Sequence, residues 1–408
     1  MKIAYIEPAG KGGMIHYAFQ LCRALQAEGA DVTLITDENY ELEELEHPFR
    51  LDRAMSLWDP KPEGRISTAW WAVAFRKLRR VGRALRYYRE WLRVGKRVKA
   101  LNADLVLLGD VRFPFDIIPL MRLRSAAKLF ADICHNVHPF VQSGGKSAGL
   151  FARSRWRRVF YRRIYHLFDL VFVHFDRNRK EFIETFGVPD KRVGVIVHGN
   201  EEIFRDLRTP GVDAASLRKR AGLAPDELVV LFFGTLSRYK GIDILLEAFP
   251  RVLEKAKARL VIVGYPTADF DLAEHQELAR RNNIAASVVW MPEYVASGDI
   301  AAWMELASVI VFPYRDIYQS GALHVPQTFG VPIVASAIGA MQDVIENEVS
   351  GLLVPKENAP ALAEALIRLL TDRDLASRLG FRAASDAQGR FSWRTIARTI
   401  LDRASAAM

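Results

Sequence analysis

The chain has 408 residues, half of them apolar, a net charge of +9 and two cysteines. That length supports about two or three domains, each with its own core, and excludes a short binding module. Cys22 and Cys134 stand far apart in apolar surroundings, which excludes a disulfide framework and a cysteine zinc site and reads as two small core residues.

Residues 1–7, MKIAYIE, alternate like a strand and lack the charged start and long apolar run of a secretion signal. No stretch reaches about 18 uncharged apolar residues, so a cytoplasmic protein without a spanning helix is expected. The strand pattern over 2–8 is followed by a Gly12-Gly13 turn, by a helix pattern with Met14, Ala18, Leu21 and Leu25 on one face, and by a second strand pattern, DVTLIT, over 31–36. Strand, glycine turn, helix, strand is the βαβ unit of a parallel sheet. Backbone N–H groups at Gly13 would face the start of a helix, a setting for an anion or a polar hydroxyl, with plain turn chemistry as the alternative.

Residues 70–99 carry Trp71, Phe75, Leu78, Val81, Leu85, Tyr88 and Leu92 at steps of three or four, which makes one apolar and aromatic face on a helix. The remainder is densely basic, beginning with Arg76, Lys77, Arg79 and Arg80, and the segment from 76 to 99 alone has a net charge of +10. Three readings are open: a helix on an anionic membrane surface, a packed helix with a solvated basic face, and a nucleic-acid contact. The first is favoured, because each Lys or Arg near lipid headgroups is worth about 1 kcal/mol. No recognition module accompanies the segment, so no nucleic-acid partner is expected. A second basic and aromatic cluster covers 153–168.

Further strand patterns lie at 103–109, 127–134, 170–175 and 193–199. His135 follows the second of these, where a histidine at a strand tip hydrogen-bonds a sugar hydroxyl or shuttles a proton, a purely structural histidine being the alternative. His138 reads as the more structural of the two, and His16, His166, His174 and His324 read as structural. After a polar, turn-rich stretch the alternation resumes at 227–234 and 258–264 and continues through ASVVWMP, ASVIVFPY, VPIVAS and GLLVP. The expectation is an α/β chain of two Rossmann-like, doubly wound parallel sheets over 1–200 and 201–388, with a helix in 389–408 crossing back to the first domain. The ligand would lie in the cleft between them, at the C-terminal ends of the strands.

Two motifs in the second half suit a diphosphate. In FFGTLSRYKG (232–241) a strand ends at Gly234, and Arg238 and Lys240 follow at its C-terminal edge; two such cations can neutralise a diphosphate without a metal, the alternative being solvated loop charges. In SGAL (320–323), Ser320, Gly321, Ala322 and Leu323 are small enough at their start to bring a backbone close to an anion, just before a helix pattern.

The succession of GG after the first strand, HN after a middle strand, VIVHGN, FFGTLSRYKGIDILLEA, PYRDIYQSGALHVPQTFGVPIVAS and VSGLLVP resembles the family 4 retaining glycosyltransferases of the GT-B fold. The resemblance covers nearly the whole chain, most strongly at YKGIDILLEA and SGAL…GVPIVAS. It implies an N-terminal domain for the acceptor and a C-terminal domain for a nucleotide sugar. It further implies a lysine and arginine grip on the donor diphosphate by Lys240 and Arg238, backbone amides at the SGAL turn, a base site near Glu293 and Tyr294, and His135 beside the transferred sugar. Relatives have two glutamates eight positions apart around the small-residue turn; those positions are Ile317 and Val325 here, with Asp316, His324 and Gln327 as polar neighbours. The arginine three before the lysine is replaced by Ser237, with Arg238 next to it.

The expected function is therefore sugar transfer, with retention, from a nucleoside-diphosphate sugar to a lipid-linked or other membrane-held acceptor, by an enzyme on the inner face of the cell membrane. No cofactor beyond the donor substrate and no metal are expected. A non-catalytic binding subunit and a GT-B epimerase or phosphorylase acting on a soluble sugar are the alternatives.

Overall fold

The computed structural model describes residues 1–56, 70–111, 113–137, 155–317 and 321–408, with the side chains of 70–81, 83, 84, 114 and 155–157 outside the described set. Short runs, most of them rich in Val, Ile and Leu and bounded by glycines and polar turns, form two wholly parallel sheets, whose strands apart from the edge strand at Arg50–Met55 are largely buried under helices.

The first sheet contains β1 (Lys2–Ile6), β2 (Asp31–Asp37), β3 (Arg50–Met55), β4 (Leu105–Leu108), β5 (Leu129–Ile133), β6 (Leu170–Val173) and β7 (Val193–Val195), in the order β3-β2-β1-β4-β5-β6-β7. Strand order reverses between β1 and β4, the kind of position where doubly wound sheets hold ligands. β3, RLDRAM, is an edge strand of alternating charge, and its Arg50 lies 3.5 Å from Asp31 on β2. Helix α1 (Gly13–Ala27) starts at Gly12, whose φ of 83° requires glycine, and buries Ile15, Ala18, Phe19, Cys22 and Leu25. The long α2 (Trp70–Leu101) packs by Trp91, Val94 and Val98, leaving Leu85 exposed. A single 3₁₀ turn, Pro114–Asp116, leads into α3 (Ile117–Ala126), and α4 (Arg155–Tyr165) packs against both. Both cysteines are free and buried.

The second sheet contains β8 (Leu228–Phe233), β9 (Ala258–Val263), β10 (Val288–Met291), β11 (Val309–Phe312), β12 (Ile333–Ser336) and β13 (Leu352–Val354), in the order β10-β9-β8-β11-β12-β13. α5 (Ile242–Leu253) follows β8, and the short α6 (His324–Phe329) precedes β12. The last helix, α7 (Trp393–Ala407), packs on α1: Trp393 meets Tyr17 edge to face at 4.8 Å, and Arg394 and Arg398 both reach Glu28 at 2.7 Å. By its contacts the described chain forms two compact units, one of Met1–Val137, Ser154–Val197 and Trp393–Met408, the other including His198–Ser392.

Candidate active site

In the second unit the chain leaves β8 at Gly234 (φ 117°) and turns through a 3₁₀ segment, Arg238–Lys240, into α5. Two backbones meet closely here, since a Cβ on Gly264 (φ 148°) would fall 1.8 Å from the Gly234 carbonyl oxygen. A Cβ on Gly234 would in turn lie 3.1 Å from Lys240 Nζ. The glycines are therefore what lets the ammonium of Lys240 lie against main chain.

Lys240 is 6 % exposed. Its Nζ lies 5.4 Å from the ring centre of Tyr314 and 6.0 Å from that of Tyr239, and no carboxylate pairs with it among the described residues. Burial without a counter-charge pushes its pKa down to about 8. The Tyr314 hydroxyl is also buried with no hydrogen-bond partner among the described residues. Arg238 is exposed, and no carboxylate pairs with it among the described residues.

Arg315, which the sequence patterns did not single out, holds this turn in place. Its Nη1 and Nη2 donate to both oxygens of Asp243 at 2.8 and 2.5 Å, Nη1 donates to the Arg238 carbonyl at 3.1 Å, and Nε donates to Glu357 at 3.1 Å. Its own backbone N–H donates to the Tyr239 carbonyl at 2.7 Å. A guanidinium that satisfies two carboxylates leaves Lys240 and Arg238 as the turn's uncompensated charges.

Ser320 lies outside the described residues; Gly321–Leu323 forms a 3₁₀ turn that runs into α6. Ile317 and Val325 are buried and apolar, so neither position offers a carboxylate. A polar flank reaches the turn from elsewhere: a Cβ on Gly321 would lie 3.5 Å from His198 Nε2 and 3.8 Å from Glu201 Oε1. Hydrogen bonds secure this flank to α6, from the Glu201 N–H to Thr328 Oγ1 at 2.9 Å and from Arg205 to the Thr328 carbonyl at 2.5 Å. His198 Nδ1 lies 2.9 Å from the Gly199 carbonyl oxygen and so carries its proton there, which makes Nε2 an acceptor toward the turn. His198 stacks on His324 at 4.9 Å, and burial lowers its pKa to about 4. Burial also holds His324 well below the ordinary range, so both rings are neutral at pH 7. Glu293 and Tyr294 follow β10; Glu293 pairs with Arg220, and the Tyr294 ring is exposed. Asp316 is exposed.

In the first unit, Gly13 is exposed at the start of α1, with open space over its Cα. The Gly12 N–H, by contrast, donates to Glu41 Oε1 at 2.6 Å, and His16 Nε2 lies 2.7 Å from the same oxygen. Burial pushes the Glu41 pKa up, but the His16 and Gly12 contacts outweigh it and hold the carboxyl below its usual range. Part of the anion-binding capacity of this turn is thus used by the chain itself. Trp71, Phe75, Arg76, Lys77, Arg79 and Arg80 lie on α2, and their side chains are outside the described set.

His135, just past β5, is buried beside Tyr17, whose ring meets it edge to face at 4.7 Å. His174, expected to be structural, makes a chain with it. His174 Nδ1 lies 3.2 Å from the Ile196 carbonyl oxygen, and His174 Nε2 lies 3.0 Å from His135 Nδ1. A carbonyl only accepts, so neutral His174 has its proton on Nδ1 and receives one from His135 Nδ1, which leaves His135 Nε2 as an acceptor. The His174→Phe variant should populate both His135 tautomers by ¹⁵N NMR, because the His135 Nδ1–H loses its acceptor. An unchanged tautomer would show that His174 does not set the His135 proton.

Two family models match the chain: "Glycosyltransferase Family 4" over residues 11–200 and "Glycosyl transferases group 1" over residues 227–372. The chain belongs to the family 4 glycosyltransferases. Among curated relatives of this glycosyltransferase, the D-inositol 3-phosphate glycosyltransferase of Kribbella flavida is 31% identical over 241 residues, which is 57% of this chain and 55% of that protein. That of Streptomyces griseus is 34% identical over 231 residues, 54% of this chain and 48% of that protein. The chain spans about half the length of the curated relatives it matches. The sucrose-phosphate synthase of Thermosynechococcus elongatus superposes with a TM-score of 0.69 at 23% identity, and Anabaena Alr3699/HepE, solved in complex with UDP and glucose, with 0.69 at 19%, each covering 100% of both chains. The two-sheet architecture is that of the GT-B fold.

Proposed function

We propose that this glycosyltransferase moves a sugar, with retention and without a metal, from a nucleoside-diphosphate sugar to a hydroxyl of a membrane-held acceptor. The observation that carries the reading is the buried, unpaired ammonium of Lys240 on a glycine-bounded turn at the end of β8, with Arg238 beside it. A diphosphate is the ligand that turns this uncompensated charge into a stabilising one. As the sugar C1–O bond breaks, negative charge collects on the leaving diphosphate and is met by Lys240, Arg238 and the amides of the Gly321–Leu323 turn. The acceptor hydroxyl bonds to C1 on the same face and gives its proton to the departing phosphate oxygen. Glu201 and His198 are placed by this reading where relatives use glutamates around the turn, and His135 Nε2 accepts from a sugar hydroxyl.

A soluble phosphorylated acceptor is the second reading, favoured by the names of two similar proteins, D-inositol 3-phosphate glycosyltransferase and sucrose-phosphate synthase. Membrane-bound and soluble acceptors are separated by comparing rates with vesicles and without. The first test is a thermal-shift panel of nucleoside diphosphates and their sugars. The matching nucleotide at about 100 times its Kd should add roughly 2.7 kcal/mol of stability, and the matching sugar nucleotide should release its nucleoside diphosphate when an acceptor is present. A panel in which no nucleotide stabilises the protein would end this reading and leave the non-catalytic subunit.

A further inference from the structure

Several large exposed apolar side chains of the first unit lie close together along the chain. Phe113, Phe115, Ile118 and Met121 follow one another through the 3₁₀ turn and the outer face of α3, at 38, 59, 54 and 56 % exposure. The turn is not loosely held. Tyr87 of α2 donates to Asp116 Oδ1 at 2.7 Å, the Phe113 N–H donates to Asp116 Oδ2 at 2.9 Å, and the Phe113 and Phe115 rings stack at 4.9 Å. α4, packed on the same turn, adds exposed Val159 and Phe160. Rigidly presented apolar side chains of this size are rare on a soluble surface and mark a contact.

What surrounds them is cationic. A groove of about 460 Å³ between α2 and α3 is lined by Arg89, Lys96, Lys99 and Arg122. None of these four makes an ion pair among the described residues, and Arg122 instead lies 5.4 Å from the Tyr88 ring centre. A fixed apolar wedge bordered by unpaired cations matches the two layers of an anionic bilayer, acyl chains beneath phosphates.

We propose that Phe113, Phe115, Ile118 and Met121 enter the acyl boundary of an anionic phospholipid membrane while the α2–α3 groove holds headgroup phosphates. This extends the membrane-held acceptor of the proposed function, but binding needs no donor and no turnover. Vesicle experiments without nucleotide test it alone, and the nucleotide panel without vesicles tests the other.

The experiment uses the full chain. A Phe115→Cys variant labelled with an environment-sensitive fluorophore exploits the burial of both native cysteines. Its emission should shift to the blue on vesicles of mixed phosphatidylcholine and phosphatidylglycerol, and neither pure phosphatidylcholine nor soluble glycerophosphate should reproduce the shift. Phe115→Ser with Met121→Ser should weaken vesicle binding about tenfold or more, and Arg89→Glu with Arg122→Glu should abolish the preference for anionic lipid. All four positions are exposed, and matched melting curves confirm that each variant folds. No blue shift on anionic vesicles, or vesicle binding unchanged by the serine pair, overturns the proposal. So does a blue shift that grows with protein concentration in the absence of lipid, which would assign the wedge to a second copy of the chain.

Discussion

Lys240→Met should melt at a higher temperature than the unsubstituted protein while transferring sugar roughly 10²- to 10³-fold more slowly. The two effects have one cause. A lysine whose pKa is lowered to about 8 by burial binds its proton less well folded than unfolded, so the charged form is held at a cost. At pH 7 that cost is on the order of 3 kcal/mol, offset in part by the two tyrosine faces. Methionine keeps the stem and removes the charge.

The sign follows from linkage. Between about pH 8 and the ordinary lysine pKa the unfolded chain holds more protons than the folded one, so the wild type gains stability as pH rises through that window. Below pH 8 the penalty is fully present. The stability difference between variant and wild type should therefore be largest near pH 7 and shrink above pH 8, as read by melting curves in parallel buffers. Donor affinity runs the other way, since the diphosphate needs the ammonium, and KM for donor in the wild type should rise above pH 8. A Lys240→Met protein that is destabilised, or that keeps more than half its turnover, would show the lysine to be structural.

Gly241→Ala should cost about 3 kcal/mol or more and lower the melting temperature by roughly 6–12 °C. Gly241 has φ 68°, in the left-handed region, and a Cβ there would fall 2.0 Å from the Pro313 carbonyl oxygen. That oxygen belongs to main chain between β11 and Arg315, so it can retreat only by dragging away the guanidinium that fixes the Arg238–Lys240 turn. Stability and donor affinity should thus fall together. Gly82→Ala is the matched control: Gly82 lies inside α2 with nothing within 4 Å of a built Cβ, and alanine there should be neutral or stabilising by up to about 1 kcal/mol. A Gly241→Ala protein as stable as the Gly82→Ala one would contradict the geometry.

Most of the strand framework was legible because a parallel strand covered on both faces must be an apolar run, and these runs stand between glycines and polar turns. β3 was not, because an edge strand carrying Arg50, Asp52 and Arg53 has no such run; its charges suit an unpaired edge. At the candidate site, cations next to a strand-ending glycine were visible from local order alone. Arg315, His174, His198 and Glu201 were not, since each acts on a residue far away in sequence: Arg315 reaches Asp243, and His174 reaches His135. Nothing in the Phe113 to Met121 stretch of sequence signals its exposure, because hydrophobicity does not record which side of a helix faces water. Of the aromatic face expected on α2, the described members are Leu85, which is exposed, and Tyr88 and Leu92, which are half-buried, while Trp91, Val94 and Val98 supply buried apolar side chains of that helix.

The contribution of α7 to the first unit has a practical consequence for anyone dissecting the molecule. A recombinant half ending near residue 197 would lack the last helix, baring the flank of α1 where Trp393 covers Tyr17 and two arginines neutralise Glu28. No single cut of the gene yields that half intact. It has to be rebuilt as a splice, with residues 393–408 tethered behind β7 by a flexible linker.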